Sequence, residues 1–414
     1  MKVESFLQRH IKRVGLYALS NIMVSGSALV LVMFMTRHLP AADLGVVFLG
    51  QAFTLLFATI IGIGSVSVIQ PVFAKATPML GQYIGRAIAN ASVSLMLICV
   101  VLAAAGTHLA DVLSIPVSLL WLALLTAPLI YLVSLSQSSF QMTNDALRYF
   151  IQTCWSIGTS IPLTIALVIW ITPTWAARIT ALIFGALFAA LYGLPKLLSH
   201  NLRVGDSGVQ RELLMRGIPV VVHSIATTLF NQIDKLLIGA TLSADDVGIY
   251  GASAQFASVI STVGATLAIA YTPSLYQALQ DKTPESLRRA RAIRLASIVF
   301  IFVLAIILGL VMTAYHELIL GPNFDFRGDI LVTLCAGHFS FAIYHFYSGH
   351  FYYVGNTLLL ASLTISLAAL NGLLAYFFIE DFGLIGPAYA ISICLFLATV
   401  FVILHARYVE RRSP

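Results

Sequence analysis

The side chains best suited to chemistry lie in one apolar stretch near the middle of this 414-residue chain. The stretch 214–240 carries polar and charged side chains at His223, Ser224, Thr227, Thr228, Asn231, Gln232, Asp234 and Lys235. Five of them, from Ser224 to Lys235, recur at helical spacing and share one face of a helix. If the stretch crosses a membrane, an ionisable group in it costs at least about 2.5–3.5 kcal/mol and usually faces a cavity or a partner. The pattern predicts a water-accessible cleft along this face, and a set of interhelical hydrogen bonds is the alternative.

Asp234 and Lys235 are the acid–base couple of this stretch. Adjacent helical residues point about 100° apart, so they cannot face each other as an i, i+4 pair does, and we predict that they serve different surroundings. The long Lys235 side chain can reach the membrane surface, whereas Asp234 is too short to do so. We expect Asp234 to face the cleft, either as a protonatable coupling site or as the structural partner of a cation such as Arg37.

Two other stretches supply further polar candidates. In the first apolar stretch, Asn21 and Ser25 form a short polar face, and Arg37 lies at its far end. Arg178 stands near the start of the stretch 175–195. Ordinary hydrogen bonds between helices are the alternative reading of Asn21 and Ser25.

The stretch 329–353 combines histidines with aromatic residues. His338, Phe341, His345 and Tyr352 share a helical face, and such a face can stack on sugars or bases. An aromatic belt at the membrane surface is the alternative for the tyrosines.

No short motif of catalysis or metal binding occurs. The chain has no GxxxxGK(S/T) loop, HExxH pair or GxSxG elbow, and its four cysteines show no paired spacing. We therefore expect no cofactor, no metal and no nucleotide hydrolysis. Energy must then come from an ion gradient or from downhill flow of a substrate.

The composition places these side chains in a membrane. The chain is 59% hydrophobic and 10% charged with mean hydropathy +0.93, whereas soluble domains are about 25% charged. A span needs about 20 apolar residues, and the sequence predicts an all-α polytopic protein with about twelve transmembrane helices. They fall near 14–36, 44–70, 85–106, 112–135, 149–171, 175–195, 214–240, 246–271, 292–315, 329–353, 358–379 and 384–405.

The basic residues predict the orientation. With both termini in the cytoplasm, 19 of the 23 lysines and arginines fall on the cytoplasmic side, including those of the connections near 75–84, 196–213 and 272–291. The four that remain are Arg37, Arg178, Lys235 and Arg327. Anionic lipid headgroups account for the net charge of +6, so no nucleic-acid partner is expected.

The two halves of the chain repeat a short turn. Leu39, Ala41, Asp43 and Gly45 recur 203 positions later as Leu242, Ala244, Asp246 and Gly248. Both copies lie between the first and second spans of a half, which predicts a parallel repeat of two six-helix lobes, 1–200 and 201–414. The aspartate can cap the following span, and the glycine permits a tight turn or close packing.

These motifs carry a family resemblance. The turn Arg37-His-Leu-Pro-Ala-Ala-Asp43-Leu-Gly45 and the segments Asn231-Gln-Ile-Asp234-Lys-Leu-Leu-Ile-Gly239 and Asp246-Val-Gly248-Ile-Tyr250 resemble the polysaccharide-exporting branch of the multidrug/oligosaccharidyl-lipid/polysaccharide (MOP) exporter superfamily. Span count, orientation and doubling extend the likeness over the whole chain.

The resemblance implies two six-helix lobes around a central cavity that opens to each side in turn. The implied cargo is a lipid-diphosphate-linked oligosaccharide, moved from the cytoplasmic to the periplasmic leaflet of a bacterial inner membrane. Coupling to H+ or Na+ and contact with other polysaccharide-assembly proteins are implied as well. Cationic cavity residues would meet the diphosphate, and Lys235, Arg37, Arg178 and Arg86 are the cations near membrane depth.

Three alternatives stay open. A drug or cation exporter of the same superfamily would need an acidic residue in the first lobe, and spans 1–6 have no carboxylate at mid-depth. A major-facilitator carrier would show a GxxxDRxGRR-like turn, which Gly81-Gln-Tyr-Ile-Gly85-Arg86 lacks. A membrane glycosyl polymerase or ligase is the enzyme alternative, but the longest outer loop, near 316–328, leaves little room for a catalytic domain.

Overall fold

The computed structural model describes residues 2–75, 79–281 and 283–412, and in these ranges the chain is helical without strands. Eleven stretches of described residues are long and apolar enough to cross a membrane, and the last, Leu358–Tyr408, contains two helices. An all-α, multi-pass membrane protein with about twelve spans is therefore confirmed. The helices are α1 (Lys2–His38), α2 (Ala41–Gly62), α3 (Ser65–Lys75), α4 (Leu80–Val112), α5 (Val117–Met142), α6 (Ala146–Trp170), α7 (Trp175–Leu198), α8 (Ser207–Thr241), α9 (Ala244–Asp281), α10 (Pro284–Leu320), α11 (Gly328–Val354), α12 (Thr357–Phe382) and α13 (Gly386–Arg412).

The second predicted span, 44–70, is not one helix. After α2, Ile63 and Gly64 adopt left-handed backbone conformations with φ of 45° and 66°, and α3 begins at Ser65. Left-handed residues cannot continue a right-handed helix. Hydropathy does not reveal this break because the residues around it are apolar or small.

The connection predicted near 272–291 is mostly helical. α9 runs to Asp281, and α10 begins at Pro284 after Thr283, whose hydroxyl accepts the Ser286 N–H at 3.2 Å. Residue 282 lies outside the described residues, as do residues 76–78 of the connection predicted at 75–84. Charged residues ended the predicted spans too early, because a helix keeps its backbone hydrogen bonds when it leaves the lipid.

The connection 199–206 is seated on the start of α4. The Arg203 N–H donates to the Gly81 carbonyl at 3.3 Å, and Arg86 donates to the Gly205 carbonyl. A Cβ at Gly81 would collide with the His200 carbonyl, and one at Gly85 with the Arg203 carbonyl. The two glycines thus form a groove that holds backbone.

The chain forms two compact units. The first is Met1–Leu229 with Ser243–Asp245, and the second is Phe230–Leu242 with Asp246–Pro414. Helix α8 contributes its early residues to the first unit and its last turns to the second. Lobes of 1–200 and 201–414 stay a prediction.

Small residues bring the helices of each unit together, as expected where lipid gives no hydrophobic force between helices. In the first unit, a Cβ at Gly185 of α7 would lie 2.7 Å from the Ser156 carbonyl of α6. Buried Gln152 of α6 donates to the Ala189 carbonyl of α7 at 2.9 Å. In the second unit, Gly337 of α11 leaves no space for a Cβ against Ser392 of α13.

Candidate functional site

Asp234 lies in the last turns of α8, inside the second unit. Asp234 is only 2% exposed. Its Oδ1 accepts the backbone N–H of Lys235 at 2.8 Å and lies 3.6 Å from Lys235 Nζ. The buried hydroxyl of Tyr250 on α9 neighbours the same carboxylate. Asp234 is thus buried among protein groups inside the second unit, and its position at a cleft stays a prediction.

The prediction that Asp234 and Lys235 serve different surroundings is wrong. Lys235 folds back along α8, where Nζ donates to the Asn231 carbonyl and to Gln232 Oε1, both at 3.2 Å. These acceptors and the Asp234 carboxylate replace water around the ammonium, whose side chain is 12% exposed. The four rotatable bonds of the lysine side chain let its ammonium reach back to Asp234, although the Cβ atoms of the two residues point about 100° apart.

His338 joins these groups from α11. Its Nδ1 lies 3.0 Å from the Ser261 hydroxyl of α9, and its ring is within electrostatic range of Lys235. A carboxylate, an ammonium and a phenol thus lie together inside one unit, with the His338 imidazole within electrostatic range of the ammonium. We call Asp234, Lys235, Tyr250, Ser261 and His338 the Asp234 cluster. Such groups can hold and release a proton or hold a cation. No group of three metal-ligating His, Cys, Asp or Glu side chains occurs among the described residues.

Sequence reasoning missed Asn371, which faces the same helix from α12. Its residue is fully buried, and its Nδ2 donates to the Phe230 carbonyl of α8 at 3.2 Å. Its Oδ1 has no protein partner among the described residues. The available signal was an amide in the middle of the apolar stretch 358–379, but one polar residue does not show which face of its helix packs inward.

The remaining candidates of α8 divide between the units. His223, Ser224 and Thr228 belong to the first unit, whereas Asn231 belongs to the second. Thr228 Oγ1 lies 3.4 Å from the Thr59 hydroxyl of α2. The His223 carbonyl accepts the Thr227 hydroxyl at 2.9 Å. The Thr228–Thr59 pair is thus a hydrogen bond between helices, which is the alternative to a cleft on this polar face. The water-accessible cleft stays a prediction.

Arg178 is the buried cation of the first unit. It lies in the first turn of α7, its residue is 7% exposed, and its Nη1 donates to the Thr164 hydroxyl of α6 at 3.1 Å. Its Nε is buried without a partner among the described residues. Arg178 and Asp234 are the charged residues that are buried in the described chain.

Four other candidates are more accessible. Asn21 and Arg37 of α1 are exposed, and Ser25 is half-buried. His345 of α11 is half-buried in an aromatic group, with ring centroids 4.7 Å from Phe341 and 5.6 Å from Tyr344. Tyr344 packs in turn against the apolar core of Phe351, Leu360 and Val402, which favours a structural role for this group.

The repeated turn is conserved in position. α1 ends at His38 and α8 at Thr241, while α2 begins at Ala41 and α9 at Ala244, so both pairs are separated by 203 positions. Gly45 and Gly248 are both buried. The expectation that Asp43 caps the following helix is wrong, because its Oδ1 accepts the Trp175 N–H at the start of α7 at 3.1 Å. Pro40 stands where α2 would offer an N–H, and proline has none.

This architecture has clear relatives among solved structures. An inward-facing multidrug resistance MATE family transporter of the MOP superfamily superposes with a TM-score of 0.72 at 14% identity, over 96% of this chain and 98% of that one. The lipid II flippase MurJ in an inward closed conformation gives 0.77 at 13% identity, over 95% and 87%. MATE in a bent conformation gives 0.59 at 16% identity, over 97% and 93%. No curated protein matches the chain significantly.

The chain therefore has the fold that these solved transporters share. The polysaccharide biosynthesis protein family matches residues 11–279. The chain belongs to this family, and the resemblance read from the sequence is confirmed.

Proposed function

We propose that this protein flips a lipid-linked oligosaccharide, a repeat unit of a surface polysaccharide, from the cytoplasmic to the periplasmic leaflet of a bacterial inner membrane. One observation carries the proposal: a polysaccharide biosynthesis family matches a chain whose described residues are membrane helices nearly throughout. Such a chain has no soluble region large enough to build sugars. It can best serve polysaccharide synthesis by moving an intermediate that is itself bound to the membrane.

The fold likeness supports this cargo class. MurJ, named as a lipid II flippase, shares the fold over 95% of this chain. In this proposal both termini are cytoplasmic, and two lobes open a central cavity to each side in turn. Arg178, Lys235 and Arg37 are the cations proposed to meet the diphosphate. Arg178 suits that role because it is a buried guanidinium with a hydroxyl partner and no carboxylate bonded to it.

The energy source in this proposal is an H+ or Na+ gradient read by Asp234. A buried carboxylate beside an ammonium and a phenol changes its contacts when a proton or a cation arrives. The structural alternative, a permanent Asp234–Lys235 ion pair, is favoured by the 3.6 Å separation of Oδ1 and Nζ. The coupling role and the structural role predict different effects when asparagine, a neutral amide, replaces Asp234.

Asp234→Asn keeps the size and one acceptor oxygen but abolishes titration. We expect it to abolish gradient-driven export, and Asp234→Glu to retain part of it. Asp111→Asn on exposed Asp111 is the matched control. Wild-type export by Asp234→Asn between about pH 6 and pH 8, at unchanged protein level, would show that Asp234 is structural.

Deletion of the gene tests the function itself. We expect surface polysaccharide to disappear while lipid-linked repeat units accumulate on the cytoplasmic leaflet, where an impermeant lectin added to spheroplasts does not reach them. Accumulation on the periplasmic leaflet would instead identify a polymerase or ligase.

A drug or cation exporter is the second candidate, favoured by the likeness to MATE structures over nearly their whole length. Among the described residues of the first unit, no carboxylate is buried to hold a cationic drug. Deletion that leaves polysaccharide intact but sensitises cells to cationic drugs would establish this candidate.

A further inference from the structure

The break between α2 and α3 places a residue in an unfavourable conformation. Ile63 has φ of 45°, in the left-handed region that β-branched side chains rarely enter. Gly64 follows with φ of 66°, which glycine adopts without steric cost. A strained residue of this kind persists only when its surroundings hold it, and such residues concentrate at switches.

The second half of the chain shows the same span without a break. α9 begins 203 positions after α2 and runs unbroken from Ala244 to Asp281. At that offset Thr266 and Leu267 correspond to Ile63 and Gly64, and both lie inside the helix. A continuous α2–α3 helix is therefore a conformation that this fold already uses.

Helix α8 supplies the contact that holds the break. A Cβ at Gly64 would collide with the Gly217 carbonyl, and a Cβ at Gly217 would collide with the Ile63 carbonyl. Backbone meets backbone here, so neither collision can be relieved by a side-chain rotation. Pro219 follows two residues later inside α8, where its ring removes a helical hydrogen bond and permits bending.

Hydrogen bonds lie on both flanks of this contact. On the α2 side, the Thr59 and Thr228 hydroxyls are 3.4 Å apart. On the α3 side, the buried Ser65 hydroxyl is 2.8 Å from the Tyr131 hydroxyl of α5. The broken conformation is thus supported from α5 as well as from α8.

We propose that Ile63, Gly64 and Gly217 form a two-state latch. In the latched state the break seats against Gly217. In the released state α2 and α3 join into one continuous helix, as in α9, and Gly217 of α8 loses its contact with the backbone of Ile63 and Gly64. The same α8 carries Asp234 and Lys235 in its last turns, so the latch couples the shape of the second span to the helix of the candidate site.

The latch can be tested on purified protein in lipid nanodiscs without cargo, so the result does not depend on the proposed substrate. Spin labels at Val72→Cys on α3 and Val93→Cys on α4, in a background with the four native cysteines replaced, report the two α3 orientations by double electron–electron resonance. Val93 is 54% exposed and accommodates a label.

Gly217→Ala and Gly64→Ala should each lower the ratio of latched to released molecules by about tenfold or more. Ile63→Gly should raise it by about tenfold, measured both alone and in the Gly217→Ala background, because glycine relieves the left-handed strain. Gly158→Ala is the matched control, since a Cβ at Gly158 meets nothing within 4 Å.

Two results would overturn the latch. One is a distance distribution for Gly217→Ala and Gly64→Ala that equals that of Gly158→Ala. The other is a shift by Ile63→Gly in the same direction as Gly217→Ala, because the break would then be merely fragile. Ile63→Gly fits the latched backbone without collision, so its direction decides the matter even if an alanine variant fails to fold.

Discussion

The two copies of the repeated turn carry an aspartate at the same position, Asp43 and Asp246, but the two carboxylates have different partners. Asp43 accepts a neutral backbone N–H, that of Trp175 on α7, at 3.1 Å. Asp246 lies within electrostatic range of the Arg327 guanidinium, which also binds Asp329 through two bonds of 3.0 and 2.7 Å. The hydrogen bond to Asp329 and the charges of Asp329, Asp325 and Asp246 raise the pKa of Arg327. One copy therefore acts as a helix cap, and the other contributes charge.

The residue before each helix explains why the copies diverge. Pro40 precedes α2, whereas Ser243 holds that place before α9. Proline has no N–H, so Asp43 cannot close a capping box on its own helix and is free to cap α7. Identical residues at repeated positions thus indicate the same backbone turn in both halves. They do not predict the same hydrogen-bond or charge partner for the side chain.

The largest expected difference comes from Asp43→Ala. It leaves the Trp175 N–H without its acceptor and should cost about 1 kcal/mol of stability, within the range of roughly 0.5–2 kcal/mol for lost caps. Thermal unfolding of the detergent-purified protein measures this cost. Asp43→Asn keeps an acceptor oxygen and should recover most of it, so equal losses in both variants would exclude the capping role.

A smaller effect is expected from Asp246→Asn, which keeps hydrogen bonding but removes the charge beside Arg327. Exposed ion pairs contribute about 0.2–1 kcal/mol. Because the Debye length shrinks to about 3 Å in 1 M salt, the difference from wild type should vanish there. For Asp43→Asn the unfolding temperature relative to wild type should not depend on salt, and salt dependence at position 43 would remove the contrast.

The smallest effect is the coupling between positions 246 and 327. A double-mutant cycle of Asp246→Asn and Arg327→Gln should give a coupling of a few tenths of a kcal/mol, because Asp329 holds the guanidinium directly. Asp43→Asn with Arg327→Gln serves as the additive control. Coupling as large in the control cycle would mean that Asp246 has no special relation to Arg327.

Sequence reasoning reached the elements more surely than the contacts. Apolar length fixed the spans, since a membrane helix must satisfy its own backbone hydrogen bonds. It could not show the break at Ile63, which depends on how closely Gly217 approaches. The short side chain of Asp234 showed that its carboxylate cannot reach the membrane surface. The return of Lys235 to Asp234 could not be predicted, because a long side chain has several acceptors within reach.

The same limit explains the buried polar residues that were overlooked. Asn371 and Thr164 lie in apolar runs with other small polar residues on several faces, so the sequence does not show which of these residues packs inward. Each one is paired with a group on a neighbouring helix: Asn371 with the Phe230 carbonyl, and Thr164 with the Arg178 guanidinium. Pairs of this kind form across distant parts of the chain, so local pattern cannot supply them.

The glycine groove of α4 has a consequence for experiments that insert into the chain or divide it. The connection 199–206 lies between the two predicted lobes, and its backbone is packed against Gly81 and Gly85 and bonded to Arg86. This connection is therefore an internal part of the first unit. A reporter protein inserted there should destabilise α4, and a chain cut after residue 200 should leave the Gly85 end of the groove without the backbone that fills it.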